Sequence, residues 1–429
     1  MADMDSPLEQ PGTRGMQPGG TWAPFRYPAF RAIWIANLAS NLGATMQSVG
    51  AAWLMTSLTA SHQMIALIQA STTIPIMIFG VFAGAIADNF DRRRVMLTSQ
   101  IGMFLVSVVL TVLTWLGWMS PWLLLTLTLL LGIGTALNSP AWQASVRQQV
   151  SFQDLPQAIS LNTISFNLAR TVGPALGGLL ISIWNVSVAF AVNAICRPAM
   201  IFVLLRWRPE ATPLDRRPML PAIATGLRYC AHSSPIRRIL LRGLVLGFGV
   251  AGYQALLPSV VRTQLHGDEI EFGLLLGMFG VASILAALVI SQARRRFGTE
   301  AVLTLATLAF AAAQMVLASV HSMAAALPAT FIAGGGWVAG LTTVNVAMQM
   351  RSPDAVLGRC LSIYQAITFG GMAIGSWCWG ALADWQDLPF ALHASAAFLV
   401  VTLILVRRLA PMPGLDEGRI TEHGIDVVP

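Results

Sequence analysis

Twelve long apolar stretches, each bounded by turn residues or arginines, run from about Arg31 to about Arg408. Each is near the ~20 residues that a helix needs to cross a ~30 Å hydrocarbon core. Inside such a core no water bonds the backbone, so each segment must satisfy its own N–H and C=O groups, as a helix does. The pattern predicts an all-α integral membrane protein with twelve transmembrane helices. Charge content agrees. Only 10% of the 429 residues are charged, against about 25% in soluble domains, too few to build an ordinary water-facing surface.

The first six spans are expected at roughly 31–57, 64–88, 94–118, 121–146, 158–183 and 187–207. The second six are expected at roughly 238–261, 271–293, 300–320, 324–350, 359–384 and 389–408. Residues 1–30 are rich in Pro and Gly and read as a disordered tail, and residues 409–429 as a second one. The polar stretch 208–237 separates an N-terminal six-helix unit, 31–207, from a C-terminal one, 238–408. It holds a possible amphipathic segment from Pro221 to Ala231. The first apolar run is longer than the ~7–15-residue core of a signal peptide and reads as a retained helix.

The net charge of +7 rests on 26 basic residues, all Arg. They sit in short clusters between spans, which argues against nucleic-acid binding and for the positive-inside rule. Arg92–Arg94, Arg147, Arg294–Arg296, Arg351, Arg359 and Arg407–Arg408 all fall on one side, with both chain ends. The opposite loops hold Arg262 beside Asp268, Glu269 and Glu271. The Arg-rich side is expected in the cytoplasm of a bacterial inner membrane. Cys196, Cys230, Cys360 and Cys378 show no metal spacing and read as buried thiols.

The two halves echo each other. Arg92–Arg94 after span 2 answers Arg294–Arg296 after span 8, and Gln149 to Asp154 resembles Gln349 to Asp354. Duplicated halves are a mark of secondary transporters. At the end of span 2, Gly84 precedes Asp88 by one turn, followed by Asp91, Arg92 and Arg93. Gly84 leaves a bare face for a neighbouring helix. A carboxylate at Asp88 suits the positive end of another helix. This stretch resembles the loop signature of the major facilitator superfamily, with Asn89 and Asp91 departing from the usual residues. Together with Ser40 to Gln47 in span 1, it is similar to the branch holding enterobactin exporters and macrolide or drug–proton antiporters.

The resemblance implies the major facilitator fold, two pseudo-symmetric six-helix bundles. It also implies a gate in which Asp88 meets the start of span 11, with Arg92 nearby. Arg170, Gly173, Pro174, Gly177 and Gly178 in span 5 resemble the superfamily's antiporter element, though its upstream glycines are missing. The residues themselves describe a kinked helix with small-residue contacts.

No Asp or Glu lies mid-span, so no coupling carboxylate stands out; Asp88, Asp384 and His393 are candidates. Arg170 and Arg197 do lie inside the spans, where an arginine marks a cavity or a buried partner. Asn37, Asn41, Gln47, Asn138, Gln143, Asn167, Tyr253, Gln254 and Asn345 are the remaining cavity candidates. Some of these amides are expected to join helices instead.

The leading expectation is a secondary transporter, exporting a small drug- or siderophore-like amphiphile, with protons as a possible coupling ion. No GxxxxGK[ST] sequence is present, and no cofactor is implied. A monomer in the bilayer is expected. A membrane receptor or secretion accessory stays open as an alternative. A multi-span enzyme is less favoured, because the six His are scattered. Reporter fusions at Gly298 and His321 test the topology. They are expected to report opposite sides, with Gly298 inside; the same side for both would break the count at spans 8 to 10.

Overall fold

A computed structural model describes residues 20–208, 219–353 and 356–412, without the side chains at 81, 83–88, 219, 220 and 222. Most of both tails, residues 209–218, Asp354 and the side chain of Asp88 therefore lie outside the described residues. The described chain is helical throughout. The first half runs α1 (Pro28–Leu58), α2 (His62–Asn89), α3 (Arg92–Trp115), α4 (Pro121–Ser145), α5 (Leu155–Ile183) and α6 (Val186–Arg206). A short α7 (Met219–His232) follows. The second half runs α8 (Ser234–Ser259), α9 (Glu269–Phe297), α10 (Thr299–Ser319), α11 (Met323–Arg351), α12 (Leu357–Trp385) and α13 (Leu388–Leu409).

Local chemistry sets the starts. Asp91, Ser120, Asn185 and Asp387 each accept a bond from a first-turn N–H of the helix that follows. Asp268 and Glu271 form a reciprocal capping box at α9. Pro121 and Pro389 sit in first turns, where no N–H is missed. After α8 the chain continues in a π-turn, Val260–Gln264, which hydropathy does not announce.

Eleven helices are apolar and long enough to cross a bilayer by composition. The twelfth, α1, has 31 residues, about 46 Å at 1.5 Å each, but is too polar to qualify. The reason lies in its surroundings. It packs along α5 and α6 and turns its polar groups inward: Thr45 Oγ1 donates to the Ala169 carbonyl of α5 at 3.1 Å, and Gln47 accepts from Asn193 Nδ2 of α6. A helix sheathed by other helices is freed from the apolarity that lipid demands.

The helices form two bundles, α1–α6 and α8–α13. Within the first, α1 packs on α5 and α6, α2 on α4, and α3 on α4 and α6. Within the second, α8 packs on α12 and α13, α9 on α11, and α10 on α11 and α13. Each pair of the first recurs in the second with its labels raised by seven, so the duplication seen in the arginine loops extends to packing. Across the bundles, α2 lies against α12 and α5 against α9.

Each bundle ties the start of its third helix to the end of its sixth. Arg93 donates to the carbonyls of Leu204 (2.7 Å) and Leu205 (2.8 Å) at the end of α6. In the second bundle, buried Arg242 pairs with Glu300 of α10 at 3.0 Å and donates to the Ala410 carbonyl beyond α13 at 3.0 Å. A cation at a helix C-terminus is also favoured by the helix dipole. At the entrance to α1, Arg26 pairs with buried Asp154 at 2.7 Å, and Tyr27 Oη donates to the same oxygen at 2.9 Å.

Two outcomes follow. Arg242→Leu is expected to cost about 1.5–3 kcal/mol, the range for a hydrogen bond to a charged group. Thermal midpoints in a cycle with Glu300→Gln should be non-additive; additive losses would show that the pair does not act as one. The hydrogen bond from Arg26 holds Asp154 below the ordinary carboxylate value of 3.8. A depressed carboxylate stabilises fully above that value and is lost as pH falls through its own lower one. The midpoint gap between the parent and Asp154→Asn should therefore be constant near neutrality and close below pH 3.8. A gap unchanged in acid would reject the ion pair as its source.

Candidate functional site

The Gly-Pro stretch of α5 is a crossing point. Gly177 faces α1, where an added Cβ would lie 3.0 Å from Met46 Cα, and Gly173 faces Thr45. Pro174 and Gly178 face α9: a Cβ at Gly273 would lie 2.7 Å from the Pro174 carbonyl, and one at Gly178 would strike Glu269. The stripe therefore lets α5 wedge between α1 of its own bundle and α9 of the other. Helical spacing puts Arg170 on the same stripe, one turn before Gly173 and Pro174. Arg170 is half-buried and has no hydrogen-bond or ion-pair partner among the described residues.

The other candidates divide by their partners. Asn37 and Asn41 of α1, Asn138 of α4, Asn167 of α5, Gln254 of α8 and Asn345 of α11 are half-buried, and Gln143 is exposed. Asn138 Oδ1, Gln254 Nε2 and both amide atoms of Asn162 lack partners. Buried amides of this kind are ordinarily satisfied, and these atoms are themselves buried and lack a protein partner here. Asn167 and Asn345 instead bond along their own helices, to the Thr163 carbonyl at 2.9 Å and to Gln349 at 2.6 Å.

Three candidates sit elsewhere. Arg197 is 5% exposed and lies between α6 and α3, donating to Gln100 Oε1 at 3.2 Å with Met103 Sδ at 3.4 Å. Gln47 is buried against Asn193 and Ser107, with Asn193 Nδ2 also 3.2 Å from Ser107 Oγ. Tyr253 is buried in the second bundle and donates to Thr330 at 3.0 Å. These three join helices within a bundle. The reason is rotation: each points to the flank of its helix that a neighbour covers.

Of the span-2 motif, Asp91 caps α3 through the Arg93 N–H at 2.9 Å. Arg92 donates to the Ala144 carbonyl at the end of α4 at 3.2 Å. Arg92 and Arg93 thus fasten helix ends within the first bundle. His393 bonds the Pro389 carbonyl at 2.8 Å and Ser319 of α10 at 3.1 Å.

Among the described residues, the hydrogen bonds seen between the bundles lie at the face away from the arginine loops. Trp53 Nε1 of α1 donates to Glu269 Oε1 at 2.7 Å, and Trp53 stacks on Phe272. Arg262 donates to Thr56 at 3.1 Å and lies over the Trp53 ring. Asp384, at the end of α12, accepts from Ser61 Oγ and the His62 N–H at 2.5 Å and from the Gln63 N–H at 3.2 Å. This face is closed. The sequence signal for it is an acidic loop facing an isolated Trp near a span end. Among the described residues no group of three or more His, Cys, Asp or Glu is placed to hold a metal.

The sequence matches the transmembrane secretion effector family over residues 19–423. It is 24% identical to the staphyloferrin A transporter of Staphylococcus aureus, over 80% of this chain and 86% of that one. It is 24% identical to the multidrug efflux pump Tap of Mycolicibacterium fortuitum (90% and 96%). The same identity holds for the enterobactin exporter EntS of Citrobacter koseri (91% and 96%). Among solved structures, the nucleoside transporter NupG superposes with a TM-score of 0.71 at 12% identity, covering 89% of this chain and 98% of that one. A bacterial homolog of the human lysosomal transporter Spinster gives 0.70 at 15%, with 92% and 98% covered. With twelve helices in two matched bundles and a family match over nearly its whole length, the chain belongs to the transmembrane secretion effectors of the major facilitator superfamily.

Proposed function

We propose that this transporter exports a small amphiphile with an anionic or electron-rich part across the bacterial inner membrane. The bundles 31–207 and 238–408 rock about a midplane site, joined by the cytoplasmic linker 208–237, with both chain ends inside. The observation that carries the reading is Arg170: a half-buried cation without a partner, at the wedge of α5 between the two bundles. An arginine placed there is costly unless cargo or water meets it. The open amides of Asn138, Asn162 and Gln254 supply further donors and acceptors around a cargo. Relatives named as an enterobactin exporter, a multidrug efflux pump and a staphyloferrin A transporter support the same class.

The protein acts as a monomeric carrier rather than an enzyme. A proton gradient drives it, with the Gly173–Gly178 element serving antiport. On the arginine-rich side, Asp88 closes the inner gate against the start of α12.

Transport into everted membrane vesicles tests the reading, using a catecholate siderophore and a neutral macrolide with and without a pH gradient. Arg170→Gln should raise KM for the anionic cargo by roughly 10-fold or more, the value of a charged hydrogen bond of about 1.5–3 kcal/mol. Membrane expression should hold. Lost expression with unchanged activity per molecule would make Arg170 a structural clamp. Transport indifferent to the gradient would remove proton coupling.

A further inference from the structure

The last residues of α2 and α12 read almost alike. Gly84, Ala85, Ala87, Asp88 and Asp91 recur as Gly380, Ala381, Ala383, Asp384 and Asp387 at the same offsets, with Ile86 answered by Leu382. The duplication of halves does not account for this, because the counterpart of α2 in the second bundle is α9. Instead, α2 and α12 are the helices that face each other across the bundles.

They run antiparallel. An added Cβ at Gly380 would lie 2.8 Å from both Gln63 Cα and Ala66 Cβ, and one at Gly370 would lie 2.8 Å from Met77 Sδ. Continued in step, this register brings the end of α2 level with the first turn of α12 near Gly358. The two copies of the motif therefore sit at opposite ends of one helix pair.

The second carboxylate of each copy has the same task. Asp91 caps α3 through Arg93, and Asp387 caps α13 through the Phe390 N–H at 2.6 Å. The first carboxylate of the α12 copy reaches across the interface: Asp384 accepts the His62 and Gln63 N–H groups and the Ser61 hydroxyl at the start of α2. First-turn N–H groups have no partner inside their helix and carry its positive end. Gly380, lacking a side chain, lets the two ends come close enough for that bond.

We infer that the carboxylate ending α12 is a latch: Asp384 holds the start of α2 and so shuts this face of the carrier. Asp384 is the latch of the outer end and is engaged in the closed face seen here. Asp88 holds the same place in the other copy of the motif, and its side chain lies outside the described residues. Asp384 is thus a positioning residue for transport: it touches no cargo and biases which end is shut. The inner and outer labels rest on the orientation proposed above.

The test uses the full chain in intact cells, with Cys196, Cys230, Cys360 and Cys378 replaced by Ala and Val49→Cys as reporter. Val49 lies one turn inward of Trp53 and is 2% exposed in the closed outer face. A membrane-impermeant maleimide reports its opening. Asp384→Asn keeps the shape and removes the charge, and should raise the labelling rate roughly three- to tenfold, given the size of a helix-end contact. Asp387→Asn removes the same charge one turn on, without a cross-bundle bond, and should leave the rate unchanged. Asp384→Glu should keep it near the parent's.

An unchanged rate in Asp384→Asn, or an equal rise in Asp387→Asn, would overturn the latch. Should Asp384→Asn fail to reach the membrane, Ser61→Ala removes one donor and decides on the same readout. Labelling needs no cargo. A protein that responds as expected but moves none of the cargoes would therefore count against the export reading alone.

Discussion

Hydrocarbon offers a backbone no hydrogen bonds, and this chain answers with long helices whose peptide groups are satisfied from within. What remains to be placed is side-chain polarity, and each polar group must find a partner, reach the water at a helix end, or stay open to whatever fills the middle. Arg242, Arg93 and Arg92 find theirs at helix ends, on the carbonyls left over there. Arg197, Gln47 and Tyr253 take the first and join helices inside a bundle. Arg170, Asn138, Asn162 and Gln254 keep polar atoms without a protein partner among the described residues. The separation ties each bundle together without spending those groups.

Small residues sit where helices must come closest. Gly173 and Gly177 admit α1, Gly178 and Gly273 bring α5 onto α9, and Gly380 brings α12 onto the start of α2. In a bilayer the apolar effect does little to drive helices together, so close van der Waals contact and a few polar bonds must do it. The contacts between the bundles follow that rule with a bias to one face, where Trp53, Arg262 and Asp384 reach across.

Hydropathy and turn chemistry made the helix ends legible to within a few residues, because Asp91, Ser120, Asn185 and Asp387 mark starts that apolarity alone would blur. The weakest apolar signal, α1, belongs to a helix that packs along α5 and α6 and turns polar groups toward them. Rotation about the helix axis was not legible. Arg170 and Arg197 look equivalent as mid-span arginines, yet one faces the α5 wedge and the other faces α3. A signal for Arg197 did exist: Gln100, Met103 and Ser107 form a stripe on one face of α3, matched by Asn193 and Arg197 one turn apart on α6. Such stripes identify pairs only once the neighbour is known, and the same holds for Asp384 and Ser61, more than 300 positions apart.

A carrier that alternates must hold two closed faces with comparable free energy, since a contact far stronger at one end would trap it there. Contacts of a few tenths to about two kcal/mol, such as a carboxylate at a helix start, are of the right size. They bias a balanced equilibrium without freezing it. Using one short motif at both ends of one antiparallel helix pair is a direct way to keep the two energies matched. The mismatch is then left to the neighbours. On the closed face Trp53, Glu269 and Arg262 add to Asp384, while Arg92 and Arg93 are already committed to the ends of α4 and α6. Among the described residues, the face that is closed thus rests on several polar contacts and not on Asp384 alone.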